Sequence, residues 1–470
     1  MAGASDKARF YLEQSVPELQ ELIRKKIFTK DEVSSIAHKR SEFEHKLSGR
    51  GSTAADYARY VEYEMNLDAL RRTKAKRLGI KATSYTGQRR IFFVLDRATR
   101  KFHGDTSLWM LYLSFARKQK AHKKVAQIIT NMLRLHPASP ELWIYAADYA
   151  WEERADIAET RGYMQRGLRF CSHSKRLWSE YLKLEMIYIA KISARRRILG
   201  LDSRSPQQES IQDGEDFGQD LITFPNVTTE ATGLESITAD STRTKILERK
   251  IASTPALAGA IPIAVFAAAM KEFPEEPTFG AQLFDCVAEF PELDCAKRIL
   301  QHMVEYLMAA APADVATLTC FIREPLVGLI AASFLLPRAL MEVVDRFELA
   351  MQNVNSLEGS VEQTRTRGAI SQHTIKCLAT YLEYPELDPD IRAVLTAMIK
   401  TAWAHCLQAL KTKGPRSSDE TITLLNILRL HGFKDLVQPG VTSALEIWPA
   451  DPHLLAMTSD SPVVLLQQHQ

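Results

Sequence analysis

The chain has 470 residues, too many for one compact core, so two or more domains or an elongated repeat array are expected. A hydrophobic share of 46% excludes a chain too polar to fold. The net charge of +3 hides an asymmetry: residues 1–200 hold 39 Lys+Arg against 22 Asp+Glu, and the remainder 21 against 35. A basic first half suggests an anionic partner; two solvated surfaces of opposite sign are the plainer alternative.

In chain order, residues 1–48 read as helices. Leu12, Val16, Leu19, Leu22 and Ile23 recur at helical spacing, as do Val33, Ile36, Phe43 and Leu47. Thr29-Lys30-Asp31-Glu32 between them is a capping box. Ser48-Gly49-Arg50-Gly51 breaks the chain before a helix carrying Tyr57, Tyr60, Tyr63 and Glu64. Residues 71–90 hold Arg71, Arg72, Lys74, Lys76, Arg77, Lys81, Arg89 and Arg90 without an acid. The first six are candidate contacts to RNA phosphates or an acidic partner, and the run also fits a nuclear targeting signal. Without such a role it reads as a solvated loop between two helices.

The strongest pattern follows. Leu108-Trp109-Met110-Leu111-Tyr112, Leu142-Trp143-Ile144-Tyr145 and Leu177-Trp178-Ser179-Glu180-Tyr181 place Trp residues 34 and 35 positions apart, a spacing that marks helical-hairpin repeats. A capping residue stands four positions before each Trp, at Asp105, Ser139 and Ser174, and Thr53 stands likewise before Tyr57. A second helix precedes each Trp and ends at His103-Gly104, His136-Pro137 or Ser172-His173. Gly87 and Gly104 read as turns. Tyr57, Tyr60, Trp109, Tyr112, Trp143, Trp178, Tyr181 and Glu185 are therefore expected as structural repeat anchors. The aromatic stripe is better explained by packing between helices than by base stacking. Glu185 is expected to pair within its repeat, with Arg166 or Arg169 as candidates.

Two features carry the resemblance. Trp178, Tyr181 and Glu185, with Arg97-Ala98 or Arg166-Gly167 in the preceding helix, resemble the half-a-TPR (HAT) repeat. Tyr11-Leu12-Glu13-Gln14-Ser15-Val16-Pro17-Glu18-Leu19, Ile27-Phe28-Thr29-Lys30-Asp31-Glu32-Val33, Phe43-Glu44-His45-Lys46-Leu47, Gly87-Gln88-Arg89-Arg90-Ile91-Phe92-Phe93 and Met164-Gln165-Arg166-Gly167-Leu168-Arg169-Phe170 narrow it. Over residues 1–200 the chain resembles the U3 small nucleolar RNA-associated HAT-repeat family of the small-subunit processome. That resemblance implies a non-enzymatic scaffold in the UTP-B subcomplex, nuclear and nucleolar, needed for U3-dependent pre-rRNA processing and 18S rRNA maturation. It implies WD40-propeller and other UTP-B subunits as partners, with U3 snoRNP and pre-ribosomal RNA in the same particle and direct RNA contact left open. The repeat's Glu is Ala116 and Ala150 in two copies, and Ala146 stands where Tyr112 has its counterpart. The alternative is a HAT-repeat scaffold of a splicing or mRNA 3′-end complex.

Residues 201–243 turn acidic and rich in Ser and Gln, with Asp213, Glu215 and Asp216 among few apolar anchors, and read as a flexible linker. Helical text returns at 244–470, with loops expected at 353–364 and 411–419 and with Trp403 and Trp448 as weak copies of the anchor. The expected fold is all-α: a HAT/TPR-like helical-hairpin solenoid in two helical halves. Its segments are an N-terminal region (1–88) with the first repeat helix and basic segment, HAT repeats (89–200), the linker (201–243) and a C-terminal repeat domain (244–470).

Chemistry is expected to be absent. Cys171, Cys286, Cys295, Cys320, Cys377 and Cys406 form no metal-spaced cluster and read as buried thiols of a reducing compartment. No Walker-type glycine loop, Gly-x-Ser-x-Gly or His-Glu-x-x-His occurs. No cofactor, metal or small-molecule substrate is expected. No secretory signal is expected, and the apolar runs at 255–270 and 326–336 are too short to span a bilayer, so a soluble protein is expected.

Overall fold

The computed structural model describes residues 4–49, 51–79, 86–198, 258–355, 359–384, 387–412 and 418–458. Among these residues the regular elements are helices and no strand occurs. The chain divides into two units, Met1–Tyr149 and Ala150–Gln470.

The first unit contains α1 (Ala4–Glu13), α2 (Val16–Arg24), α3 (Lys30–Ser48), α4 (Ala54–Arg77), α5 (Thr86–Lys101), α6 (Thr106–Lys118), α7 (His122–Leu135) and most of α8 (Pro140–Glu152). The caps at Thr29, Thr53 and Asp105 stand where the sequence places them. Thr29 Oγ1 accepts from the Glu32 N–H at 3.2 Å, and Glu32 Oε2 accepts from the Thr29 N–H at 2.9 Å. Thr53 and Asp56 repeat that exchange at the start of α4, and Asp105 accepts from the Ser107 N–H at α6. Each reciprocal pair satisfies donors that a helix start leaves bare. Helix α1 packs on α3, α4 on α5 and α6 on α7. Leu19, Leu22, Ile27, Phe28, Val33 and Ile36 form one buried cluster of α2, α3 and the turn between them.

Two readings change here. The basic run begins as helix: α4 continues through Arg77, so Arg71 to Arg77 are its last two turns rather than a loop. Gly87 is not a turn. It lies inside α5, where a Cβ would stand 2.4 Å from Asp68 Oδ1. Gly104 does lie in the turn between α5 and α6.

The second unit begins with α9 (Ile157–Phe170) and α10 (Lys175–Ile198). It continues with α11 (Ala260–Glu272), α12 (Pro277–Ala288), α13 (Ala296–Ala310), α14 (Val315–Arg323) and a 3-10 turn (Glu324–Leu326). Last come α15 (Leu336–Val354), α16 (Ser360–Leu382), α17 (Pro389–Lys411), α18 (Ser418–Leu430), α19 (Lys434–Ile447) and α20 (Pro452–Thr458). Helix α10 packs on α9 and also on α11 and α12, with Lys183 Nζ 3.2 Å from Glu289 and Lys175 paired to Glu276. The acidic stretch 201–243 lies outside the described residues. From Leu318 to Leu454 one apolar cluster runs through α14 to α20, and α16 and α17 pack along most of their length. The loop expected at 353–364 is shorter, because α15 reaches Val354 and α16 starts at Ser360 with Gln363 and Thr364 already helical. In the stretch 411–419, α17 ends at Lys411 and α18 starts at Ser418, and residues 413–417 lie outside the described residues.

No helix is long and apolar enough to cross a membrane among the described residues. Among the described residues the cysteines form no disulfide.

Candidate functional site

The aromatic anchors share one geometry. Trp109 Nε1 donates to the His103 carbonyl at 3.0 Å, Trp143 Nε1 to Pro137 at 2.9 Å and Trp178 Nε1 to Ser172 at 2.7 Å. Each acceptor lies six residues upstream, in the turn that leads into the helix bearing the Trp. All three indoles are buried, so each adds a large apolar area to the core and ties down the turn before it. Tyr57 has no indole N–H. It is buried edge-on against Phe102, with ring centroids 5.7 Å apart.

The second-position tyrosines use their hydroxyls inside the protein. Tyr112 donates to Asp96 Oδ1 at 2.6 Å, and Tyr181 accepts from Gln165 at 3.3 Å, each across 16 residues. Tyr60 accepts from Arg90 at 3.2 Å and stacks on Phe43 at 5.0 Å. Burial pushes the Tyr181 phenol up to about 12, and burial raises Tyr60 and Tyr112 too, Tyr112 with the help of Asp96. None of these phenols is an acid or base near neutrality.

Glu185 is fully buried, and its partner is Arg161 rather than Arg166 or Arg169. Arg161 Nε and Nη2 each meet one carboxylate oxygen at 2.7 Å. The reason is the antiparallel hairpin. Glu185 lies well into α10, so it faces the start of α9, where Arg161 sits. Arg166 instead donates to the Gly162 carbonyl and lies over the Tyr163 ring. Arg40 and Glu64 form the same two-pronged pair between α3 and α4, at 2.8 and 2.9 Å. Both pairs span 24 residues, a recurrence readable in the sequence beside the Trp spacing. The same register in the two middle repeats holds Phe92 with Ala116 and Ala126 with Ala150. Phe92 packs edge-on to Phe115 at 5.0 Å. Burial opposes the charge on Arg40, and the Glu64 and Glu18 carboxylates overcome it, so its pKa is raised.

The weak anchors of the second unit differ. Trp403 is buried, but its Nε1 donates forward to the Leu436 carbonyl at 3.0 Å, from α17 to α19. Trp448 caps the end of α19 and is only part-buried.

The candidate basic contacts are not equivalent. Arg71 is buried and donates twice to Asp68 Oδ1, at 3.0 and 2.7 Å. Arg72 meets Asp68 Oδ2 at 2.7 Å and Gln119 at 3.2 Å. Gly87 makes room for Asp68 in this arrangement. Lys74 Nζ donates to Glu32 Oε1 at 2.6 Å. Lys76 and Arg77 are exposed, and among the described residues neither has an ion-pair partner. Lys81 lies outside the described residues.

Two of the buried thiols are held in their protonated form. Burial pushes the Cys320 and Cys406 thiols up to about 12. Among the described residues no cluster of His, Cys, Asp and Glu could hold a metal ion.

Comparison with known proteins gives one consistent likeness. Residues 12–92 match the family model described as U3 small nucleolar RNA-associated protein 6. The chain is 38% identical over 236 residues to the U3 small nucleolar RNA-associated protein 6 of Schizosaccharomyces pombe, covering 48% of each. It is 30% identical over 185 residues to the Homo sapiens homolog of that protein, covering 38% of this chain and 31% of the relative. A Dictyostelium discoideum homolog is 27% identical over 209 residues, covering 44% and 34%. The chain thus spans about half the length of the fission yeast relative and about a third of the others. Family model and relatives carry the same description, U3 small nucleolar RNA-associated protein 6.

Proposed function

We propose, from the likeness to the U3 small nucleolar RNA-associated protein 6 family, that this chain is a non-enzymatic scaffold subunit of the small-subunit processome. It acts in U3-dependent pre-rRNA processing and 18S rRNA maturation, in the nucleolus, as a member of the UTP-B subcomplex with WD40-propeller subunits as partners. The observation that carries the reading is the match at residues 12–92, supported by relatives whose names all associate them with U3 small nucleolar RNA.

The architecture proposed is a HAT-like solenoid of helical hairpins. The recurring Trp-to-turn hydrogen bond and the recurring Arg–Glu pair support it, because a repeat array needs each unit to join its two helices by one rule. A binding role is supported by how the polar groups are used. Phenols, buried carboxylates and thiols serve packing, and the cations left exposed at the end of α4 are suited to an anionic partner.

Affinity purification of the tagged chain from its own cells, followed by nuclease and high salt, tests the scaffold role. Retention of WD40 proteins of the processome after both treatments is the expected result. Recovery of splicing or 3′-end factors in their place overturns it.

A further inference from the structure

The turn between α2 and α3 and the last turn of α4 enclose a cleft of about 500 Å³. Among the described residues four cations line it, Lys26, Lys30, Lys74 and Arg77, against one carboxylate, Glu32. That carboxylate is spent: one oxygen accepts from the Thr29 N–H and the other from Lys74. At the start of α3 the capping box serves the Thr29 and Glu32 N–H groups, and the side-chain cations rather than the helix end are the attraction. What remains is the uncompensated charge of Lys26, Lys30 and Arg77. All three are exposed, and among the described residues none has an ion-pair partner.

Two local rules are broken at this cleft. Lys26 closes α2 with φ of 55°, the left-handed position glycine ordinarily fills. Lys30 begins α3, where a positive charge opposes the helix dipole. Neither feature is peculiar to this cleft, since positive φ recurs at Lys120 and Ala155 and helices also begin at Lys175 and Lys434, so the cation excess is what marks it. Linear sequence separates these lysines from the basic run of α4; only the fold joins them.

From this we infer that the cleft is a docking surface for an RNA backbone, read through phosphates without regard to base sequence. Cation excess selects a polyanion. Indifference to sequence follows from the floor. Among the described residues Phe28 is the one aromatic residue lining the cleft, it is buried, and Lys74 Nζ covers its ring at 4.6 Å, so it offers no open face for a base to stack on. The surface rests on the ribosome-assembly reading only for RNA as the polyanion at hand.

The test is fluorescence anisotropy of the full chain with two unrelated 20-nucleotide RNAs and one RNA hairpin, from 50 to 200 mM salt. Both single strands should bind alike, within about twofold. The variant K26E/K30E/R77E should have a log–log salt slope shallower by about 2, so that the wild type loses on the order of tenfold more affinity than the variant across that range. A control with the same charge change elsewhere, K297E/R298E/R338E, should keep the wild-type slope. Equal loss in the control, or an unchanged slope in the cleft variant, overturns the inference. So does binding of poly-glutamate in preference to RNA, which would make the partner an acidic protein. Failure here leaves recovery of processome proteins unaffected, and failure of that recovery leaves this binding intact, so the two readings fail separately.

Discussion

The helices from α3 to α10 and those from α11 to α20 are joined by different means. In the first region the same contact recurs: an indole held to the turn six residues back, an Arg–Glu pair across 24 residues, a tyrosine hydroxyl tied 16 residues upstream. In the second region the polar ties follow no shared spacing among the described residues. Trp403 reaches forward to Leu436, and Tyr381 bridges the Leu326 and Leu329 carbonyls. Glycines let neighbours close in, as at Gly280 against Leu307 and Gly440 against Trp403. A recurring rule lets single members be exchanged when their partner changes too. A unique contact does not.

The largest expected effect tests that exchange. Glu64→Ala should destabilise the protein by about 3 kcal/mol, because it removes the two-pronged partner of the buried Arg40 and leaves it only Glu18 at 3.5 Å. The double variant R40F/E64A copies the Phe92 and Ala116 arrangement of the next repeat and should recover most of that loss in urea unfolding. A double variant no more stable than Glu64→Ala would show that the two registers are not interchangeable. Trp143→Ala should cost a comparable amount, about 3–5 kcal/mol, through the cavity it leaves. An unshifted melting curve would refute its packing role.

A smaller contrast comes from one substitution made in both regions. Alanine is preferred over glycine inside a helix by about 0.5–1 kcal/mol. At Gly162 in α9 the nearest heavy atom to an added Cβ is Arg166 Nη2 at 3.7 Å, so Gly162→Ala should stabilise by that amount. At Gly440 in α19 the Cβ would lie 2.4 Å from Trp403 Cζ2 and 2.8 Å from Leu425 Cδ2, both buried. Overpacking of about 1–3 kcal/mol should win there, and Gly440→Ala should destabilise. Thermal melts of the two variants should therefore shift in opposite directions.

The smallest effect is a difference in acid response. Burial holds His373 in α16 and His405 in α17 below the usual histidine range. A depressed histidine contributes stability fully above its unfolded pKa of about 6.5 and loses it as pH falls through its folded value. In α4, the Lys46 hydrogen bond and then the Thr53 contacts hold Asp56 far below the carboxylate range. That contribution is whole above about pH 4 and is lost only as pH falls through its folded value. Hydrogen exchange at pH 7 and 5.5 should thus show α16 and α17 losing protection while the start of α4 keeps it. Equal loss in both would contradict this assignment.

How much the sequence disclosed follows the same division. The Trp spacing, the capping box at Thr29 and the cap at Thr53 were legible because each is a short-range rule, whereas the reciprocal half of the Thr53 cap, at Asp56, was not read. The Arg161–Glu185 pair was within reach, since its spacing recurs at Arg40 and Glu64, but proximity in sequence pointed to Arg166 and Arg169 instead. Gly87 misled because a glycine marks a turn and a close approach with the same letter. The basic run looked uniform, yet Arg71 is buried on Asp68 while Lys76 and Arg77 are exposed, a distinction that depends on which face of α4 meets α5. In the second unit the closest contacts use Gly, Ala and Leu, residues too common to stand out.

Quantifying U3 small nucleolar RNA in purifications of the tagged full chain bears on the function itself, with spliceosomal small nuclear RNAs counted alongside. U3 RNA should be enriched with the wild type and with R40F/E64A, reduced with Glu64→Ala, and spliceosomal RNAs should stay at background. Enrichment of spliceosomal RNAs without U3 would contradict the assignment to ribosome assembly.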